Sequence, residues 1–463
     1  MAKRGSEPKR SSGPALLAAL LRAMAPALAA VLLCASQAWA QKLGALPNDP
    51  SAVKLPPLKD HFLIDRLPEK PTAPLVATIP VDPLDFAAPS PLYFGQRYSW
   101  VSLGFLDENH LLFTFRVPGL IVRTAGSQGY GEERHIRAVV LSLPSGAVTA
   151  EAMWTLHDRQ RYVWMLRGGR FLLRNRDTIY EGGASLDLKP MFRYPGPLLW
   201  LELDPSQQLV VTDSREPLGK AAKPGEVSSP VTAAADVEDD GEPSQGQPDL
   251  VFRILRRDSG KVMLVNRVRA EVHLPIDASG YLDSVRGIGS EWAVNLNSFT
   301  GGSAPLGHVD SECEPTLDFV SAREVLATAC KQDGGYRFTA FAVNGLPLWA
   351  DTTSGYTVWP ILTTSLNGLR IVRETLAVTR MIGAFWALDR SAVKAQRVRV
   401  LDAADGNMAF EATVDPVFDA GGNVAISPSG RRVAILNAGA IQVYELPAPP
   451  ALPKAASEPP PWP

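Results

Sequence analysis

Runs of Val, Leu, Ile and aromatic residues recur from Tyr98 to Pro447, and short polar turns separate them. One recurring unit is an apolar strand, a turn of a few polar residues and a second apolar strand. This unit is present at 103–113, 163–173, 199–211, 316–330 and 424–436, with weaker copies at 285–295 and 360–372. Such runs favour extended backbone, so the pattern predicts a series of β-hairpins.

A second unit follows several of these hairpins and consists of a strand, a turn that ends in glycine, and another strand. The glycines are Gly146, Gly260, Gly345 and Gly406. Glycine at this place predicts a left-handed turn conformation, which it adopts without steric cost. Two hairpins in succession form four antiparallel strands, which is one blade of a β-propeller.

The seven copies between residues 98 and 447 are spaced at roughly 50 residues, which is near the period of blade repeats. We therefore predict an all-β fold, a β-propeller of seven four-stranded blades, with six or eight blades as alternatives. A two-sheet sandwich would need fewer strands with different connections. The last repeat, 424–446, supplies only three strands, so the apolar segment 74–80 is predicted to close the ring as an N-terminal strand.

The first forty residues have the pattern of an export signal. A basic start is followed by an apolar run at 23–35 and then by Ala38-Trp39-Ala40, with Gln41 next. This arrangement predicts a signal peptide, 1–40, that is cleaved between Ala40 and Gln41. The expected location is therefore periplasmic or extracellular, with no transmembrane span in the mature chain.

Two alternatives for this segment stay open. A retained membrane anchor is disfavoured because Arg22 and Pro26 interrupt an apolar stretch that falls short of the ~20 residues a span needs. A lipid anchor would use Cys34, but Leu33 stands where a small residue is expected.

Cys313 and Cys330 are the cysteines that remain after the predicted cleavage. An even pair in an oxidising compartment predicts a disulfide. Residues 316–320 and 324–330 form a predicted hairpin, and the midpoint of the two cysteines falls in its turn, so they are expected to face each other. Two unpaired thiols are the alternative. The bond would be structural, because there is no C-x-x-C.

Composition divides the rest of the chain. Segment 41–72 is Pro-rich and expected to be irregular, with a possible short element at 61–65, and the propeller is expected to span 73–447. Residues 217–249 are acidic and poor in large apolar side chains, which predicts a disordered insert. The Pro-rich tail 448–463 is expected to be extended and disordered.

Charge and motifs exclude several classes of function. Lys+Arg number 46 and Asp+Glu 48, a net charge of -2, which argues against nucleic-acid binding. The six histidines have no zinc spacing, and no G-x-S-x-G elbow, Walker loop or G-x-G-x-x-G is present. An acidic stretch at 236–241 has Gln247 where a calcium loop needs Glu. We therefore predict no catalytic residue, no cofactor and no metal site, and regard the loop 126–135 as a weaker binding candidate.

Two segments resemble repeats of known families. Residues 423–436 and 441–446, with the turn Ser427-Pro428-Ser429-Gly430, resemble the blades of WD40-like and YVTN-type propellers of secreted bacterial proteins. Residues 340–349, in which Trp349 follows Gly345 by four positions, look like a repeat of the quinoprotein amine dehydrogenase-like propellers. The resemblance implies a propeller of that superfamily over about 98–447. Quinone-cofactor enzymes commonly use adjacent cysteines and a carboxylate-bound calcium, whereas Cys313 and Cys330 are separated in sequence.

The expected function is that of an exported, non-catalytic propeller that binds a protein or a cell-envelope component through its loops. Binding is favoured over catalysis because every local catalytic motif is absent. The first alternative is a propeller enzyme, a quinoprotein-like oxidoreductase or a hydrolase, with its site at the central channel. A channel-facing cluster of carboxylates, His or Arg would support that enzyme. The second alternative is an uncharacterised subunit of an envelope complex.

Overall fold

The structure is a computed structural model, and it describes residues 58–63, 66–88, 101–117, 122–123, 132–157, 161–216, 250–353, 357–380, 390–418 and 421–450. The predicted cleavage between Ala40 and Gln41, the insert 217–249, the core of the loop 126–135 and the tail beyond residue 450 lie outside the described residues.

Two strands near the start of the chain, β1 and β2, pair with strands formed by much later residues. They span Lys59–Leu63 and Leu75–Pro80. The next three sheets are blades 1, 2 and 3. Blade 1 contains β3 (Val101–Asp107), β4 (His110–Arg116), β5 (Val122–Arg123), β6 (Glu132–Ser142) and β7 (Ala147–Leu156). Blade 2 contains β8 (Val163–Leu166), β9 (Arg170–Asn175), β10 (Thr178–Gly183) and β11 (Lys189–Arg193). Blade 3 contains β12 (Leu198–Leu203), β13 (Leu209–Arg215), β14 (Leu250–Arg256) and β15 (Val262–Val268).

Four further sheets complete a seven-bladed β-propeller. Blade 4 contains β16 (Gly280–Arg286), β17 (Glu291–Ser298) and β18 (Ser303–Asp310). Blade 5 contains β19 (Thr316–Ser321), β20 (Glu324–Cys330), β21 (Tyr336–Ala342) and β22 (Pro347–Thr353), with β1 added at its edge. Blade 6 contains β23 (Thr357–Thr364), β24 (Arg370–Val378), β25 (Val393–Asp402) and β26 (Met408–Val414). Blade 7 contains β27 (Val424–Ile426), β28 (Arg432–Asn437), β29 (Ala440–Glu445) and β2. Short 3-10 helices span Asp82–Leu84 and Arg390–Ala392. No helix among the described residues is long and apolar enough to cross a membrane.

The predicted hairpins coincide with the observed ones in six of the seven blades, and the turn glycines have the predicted conformation. Gly146, Gly260, Gly345 and Gly406 all have positive φ. Two constraints require glycine at position 406. Its φ of 69° is left-handed, and a Cβ there would lie 2.6 Å from the indole of Trp349. Trp349 is fully buried and donates its Nε1–H to Ala403 O at 2.6 Å, so it joins blades 5 and 6.

Blade 4 departs from the predicted pattern. Its unit at 285–295 was expected to be a first hairpin, but this unit spans the connection from β16 to β17, and an irregular stretch before β16 pairs with the other side of that strand. Ile276 forms an antiparallel bridge with Tyr281, and Leu282 N donates to Pro275 O at 3.0 Å. Pro275 has no N–H to offer a neighbouring strand, which accounts for the irregularity of this inner stretch. The three regular strands of blade 4 are therefore its outer three.

Apolar side chains from neighbouring blades share continuous cores. One core contains Phe105 and Phe113 of blade 1 together with Leu436 and Ile441 of blade 7, so the last blade packs on the first. Each of these side chains is almost fully buried, and burying one such side chain contributes about 1.5–3 kcal/mol. The ring is thus closed by packing as well as by strand pairing.

The N-terminal strand closes blade 7 as predicted. β2 lies antiparallel to β29, with Leu75 opposite Tyr444 and Pro80 opposite Ala440. Ile79 (5% exposed) turns into the core shared by blades 7 and 1. The closing strand therefore joins residues that lie at opposite ends of the propeller sequence.

The chain before β2 also contacts the outside of the ring. β1 lies parallel to β22 at the outer edge of blade 5, a regular strand within the segment expected to be mostly irregular. Lys59 Nζ donates to Asn407 Oδ1 at 2.7 Å, and Thr72 N donates to Glu411 O at 3.1 Å. We call residues 59–80 the N-terminal belt, because this segment contacts the outer edges of blades 5, 6 and 7 in turn.

The disulfide between Cys313 and Cys330 is present, with a Cα–Cα distance of 5.6 Å. It joins the connection between blades 4 and 5 to the end of β20. The hairpin register differs by one residue from the predicted one: Thr316 pairs with Thr328, because the register shifts between Phe319 and Ser321 at the turn. Cys313 lies before the first residue of β19, and the one-residue difference in register does not prevent its disulfide bond to Cys330.

The closing strand generates a stability prediction. We expect Ile79→Ala to lower the free energy of unfolding by about 2–4 kcal/mol, since it leaves a cavity between blades 7 and 1. Thr78→Ala, on the exposed side of the same strand, is the matched control and should stay within ~0.5 kcal/mol of the parent. Urea titrations of the two variants measure this, and equal losses would contradict a closing role for β2.

Candidate functional site: the central channel and its two ends

The first strands of six blades surround a central channel. Its cavity of about 750 Å³ is lined by residues of β3, β8, β12, β19, β23 and β27. Much of the wall is apolar, and includes Leu103, Phe105, Val163, Met165, Phe319 and Ile361. These strands alternate between side chains that pack within the blades and side chains that face the channel, which is why single polar residues within apolar runs line the cavity.

Charged side chains line the channel, and three of them, from blades 2, 3 and 5, form an interacting cluster. Arg161 precedes β8, Glu202 is in β12, and Asp318 is in β19. Arg161 interacts electrostatically with Glu202, and Glu202 interacts with Asp318. The residues that the structure describes form no hydrogen bond or ion pair with the Asp318 carboxylate. Sequence reasoning did not single out any of these three residues.

Both carboxyl groups are held partly in the neutral form. Burial, and then the negative charge of Asp318, raise the pKa of Glu202 to about 7, while Trp200 and Arg161 oppose that shift. Burial raises the pKa of Asp318 to about 6. Burial also lowers the pKa of Arg161, and the charge of Glu202 opposes it. Desolvation in the channel therefore disfavours the charged form of all three side chains, although solvent can enter the cavity.

Aromatic rings position the charged groups near the channel. The Arg161 guanidinium lies 5.3 Å from the Trp164 ring centroid, and its Nε donates to Val163 O at 3.1 Å. In blade 3, Trp200 stacks on His273 with ring centroids 3.9 Å apart. Trp164 is buried, but Trp200 is only partly buried and lines the channel.

A buried polar network supports the channel wall between blades 6 and 7. Gln396 Nε2 donates to Glu374 Oε2 at 2.7 Å, and its Oε1 accepts from Asn423 Nδ2 at 3.0 Å and from Phe418 N at 3.1 Å. Glu374 is 3% exposed, and burial raises its pKa to about 8, although the hydrogen bond from Gln396 opposes the shift.

One end of the channel is bridged by an arginine. Arg167, in the turn between β8 and β9, donates through Nη2 to Leu366 O of blade 6 at 2.9 Å. The same guanidinium contacts Pro205 O at 3.3 Å and Ser206 O at 3.4 Å in blade 3. Arg167 and Leu366 line both the channel and a second cavity of about 600 Å³ outside it. The bridge therefore narrows the channel at the end where the first and second strands of each blade are joined.

The two faces of the propeller carry connections of different length. We call the face with the Arg167 bridge the short-turn face; the turns between first and second strands, and between third and fourth strands, lie there and none exceeds five residues. Because successive antiparallel connections alternate between faces, all other connections lie on the opposite, long-loop face. The strands joined by the four longest connections end and begin at that face; they are β2 and β3, β4 and β6, β13 and β14, and β24 and β25.

Exposed apolar residues are also found on the long-loop face. Val285 (53% exposed) lies near the end of β16, and Ile288 (93% exposed) lies in the connection from β16 to β17. Ser290 O in that connection accepts from Ser311 N at 2.8 Å, and Glu312 N donates to Cys330 O at 3.0 Å. Since Cys330 ends a second strand, these contacts place the connection on the long-loop face.

The sequence-based site candidates have separate outcomes. The acidic stretch 236–241 lies outside the described residues. Asp405 bonds its own turn, as expected of a turn aspartate: its Oδ1 accepts from Asn407 N at 3.0 Å. The disulfide lies outside the residues that line the channel, and the described residues contain no group of three or more His, Cys, Asp or Glu that could hold a metal ion. These residues do not fit the cysteine and calcium arrangement of the quinone-cofactor enzymes.

Comparisons with known proteins return structures only. No protein-family model and no curated protein matches the chain. The acylaminoacyl peptidase of Pyrococcus horikoshii is similar with 9% identity over 76% of this chain and 52% of that one, at a TM-score of 0.41. The β-propeller domain of the trilobed protease from Pyrococcus furiosus is similar with 8% identity over 75% of this chain and 94% of that one, at a TM-score of 0.40. This chain spans about half the length of the acylaminoacyl peptidase, and the likeness carries no argument about activity.

The buried carboxyl of Glu374 predicts a pH dependence of stability. Its pKa in the folded protein, about 8, lies above the ordinary value, so its contribution is fully present at acidic pH and is lost as the pH rises through 8. Glu374→Gln keeps an oxygen to accept from Gln396 and cannot ionise.

We therefore expect Glu374→Gln to become more stable relative to the parent as the pH rises from 5 to 9. Urea titrations at pH 5, 7 and 9 measure the difference. Glu69→Gln, at an exposed position, is the control and should follow the parent at each pH. A difference that stays constant with pH would show that Glu374 is charged in the folded protein throughout.

Proposed function

We propose that the protein is an exported, non-catalytic propeller that binds another protein or a cell-envelope component through its long-loop face. The proposal includes cleavage between Ala40 and Gln41, a periplasmic or extracellular location and a place among the WD40-like and YVTN-type propellers. The observation that carries it is the unequal distribution of connections between the two faces. Loops supply binding surfaces, and a rigid ring of blades presents them in fixed positions.

Surface chemistry supports the same face. Ile288 is almost fully exposed and follows the exposed Val285 by three positions, so this face offers apolar surface to a partner. The short-turn face offers no comparable loops, since its turns have at most five residues and are bonded to one another through Arg167, Asn367 and Glu108.

Site-specific crosslinking tests the binding face. A photo-crosslinking residue placed at Ile288 in cells that make the protein should give a discrete adduct, because the partner covers this position. The same residue at Val148 (44% exposed), at the start of β7 by the short-turn face, is the matched control and should give none. Adducts at Val148 and none at Ile288 would contradict the assignment of the face.

A second candidate function has one specific observation in its favour. Arg161, Glu202 and Asp318 form the channel-facing charged cluster expected of a propeller enzyme. A carboxyl group with a pKa near 7 is suited to general acid–base catalysis of hydrolysis.

If the protein is a hydrolase, Glu202→Gln should lower kcat by about 100-fold or more on any ester or peptide substrate that the parent cleaves. Asp187→Asn, in the exposed turn between β10 and β11, is the control and should leave kcat unchanged. The measurement is a pH–rate profile of the purified protein. Hydrolysis that survives Glu202→Gln undiminished would remove this candidate.

A further inference from the structure

One carboxyl group in the channel, that of Asp318, has no partner among the described residues. Glu202 has Arg161 as a neighbour, whereas the Asp318 carboxylate is desolvated and lies near the like charge of Glu202. Asp318 is partly exposed to the cavity, so an occupant of the channel can reach it. A carboxylate kept in an enclosed site without a partner destabilises the fold, and a cation that binds there recovers that free energy.

Arg161 does not fill this role. Its Nε is bonded to Val163 O and its guanidinium lies over Trp164, which holds it beside blade 2. Asp318 belongs to blade 5, and its own strand, Thr316–Ser321, contains no basic residue. The unpaired negative charge is therefore on the side of the channel away from the arginine.

The cavity also selects the kind of cation. The described residues contain no set of three or more ligands for a metal ion, and two carboxylates alone do not complete a coordination shell. The cavity of about 750 Å³ is large enough for an organic group, and the partly buried Met165, Leu203 and Ile361 provide an apolar wall for it. An aliphatic chain with a charged end satisfies both parts of this lining.

We propose that the channel binds an organic cation, an alkylammonium or guanidinium group on an apolar chain, whose charge pairs with Asp318 and Glu202. It enters from the long-loop face, because Arg167 bridges the other end. The group can belong to a free amine or to a basic side chain of a peptide, and the two sources share the same chemistry at the carboxylates. This inference concerns the channel and goes beyond the proposed binding by the loops.

Calorimetric titration of the purified chain tests the proposal. The free probes are n-butylammonium and agmatine, the peptide probe is capped Ala-Arg-Ala, and n-butanol and butyrate are the uncharged and anionic controls. We expect one cation per chain to bind and the two controls not to bind. Binding of the free amines without the peptide identifies a small-molecule site, and binding of the peptide identifies a site for a basic side chain; either supports the proposal.

Variants and pH provide the decisive comparison. Asp318→Asn should weaken cation binding about tenfold or more, since it removes a charge-assisted bond, whereas Asp187→Asn should leave it unchanged. Glu202 and Asp318 are ionised at pH 8 and largely protonated at pH 5, so the parent should bind more tightly at pH 8. The other charged side chains of the lining are Arg161, Arg167, Arg174, Asp204, Arg323, Glu324 and Glu374. Thermal melts without ligand confirm that Asp318→Asn is folded.

Three results of the titrations with organic probes would overturn the proposal. They are an absence of cation binding at pH 8, equal binding of n-butanol, and an affinity for n-butylammonium that Asp318→Asn does not change. Stoichiometric binding of Ca²⁺ that excludes the organic cations would overturn it in favour of a metal site. None of these outcomes bears on crosslinking at Ile288, so the channel and the binding face are tested separately.

Discussion

The fold depends on pairing between the two ends of the propeller sequence. Five blades take all of their strands from one continuous stretch of chain, and blade 5 adds β1 to such a set. Blade 7 has only three strands until β2 pairs with β29. That pairing puts Ile79 into the core that blades 7 and 1 share, and the same core holds β3 against β27. The axis of the ring is an open channel and gives the blades no support. Each blade therefore keeps its position only through its packing on the two neighbouring blades.

The closed ring explains how the channel can hold charges that an ordinary core would reject. The first strands are fixed by the blades behind them, and therefore cannot move to give Asp318 a partner or to expose Glu202 fully to water. Burial then shifts the pKa of each carboxyl toward neutrality instead of rearranging the fold. The channel is thus a consequence of the architecture, and its chemistry is decided by a few side chains that face inward.

Periodicity made most of this architecture predictable. Hairpins such as 163–173 were recognisable because both strands and the intervening turn lie within a dozen residues. The positive φ of Gly406 was predictable because it is a local property of one residue in a turn. Closure by β2 was predictable because the last repeat lacked a strand. The irregular inner stretch of blade 4 was not predictable, because Pro275 interrupts the strand pattern on which the prediction relied. The disulfide pairing was correct, but a local shift near Ser321 moved the register by one residue.

The channel residues could not be predicted with the same method. Arg161, Glu202 and Asp318 are far apart in the sequence, and only the circular order of the blades brings them to one cavity. A signal was nevertheless present: Glu202 lies between Leu201 and Leu203, and Asp318 between Leu317 and Phe319, in runs otherwise suited to burial. A single acid within the first strand of a repeat marks a side chain directed at the axis. Motif searches miss it because no local spacing connects one blade with the next.

The N-terminal belt has a consequence for how the chain reaches this state. β2 is synthesised long before β29, so during that interval the exposed Leu75 and Val76 and the unpaired edge of β2 have no native partner. Contacts over such sequence separations form slowly, and an unpaired edge strand is a site for association between chains. Folding therefore includes an interval in which β2 is available and β29 is not. During that interval a chaperone or a low protein concentration must keep the N-terminal belt from pairing with another copy of the chain.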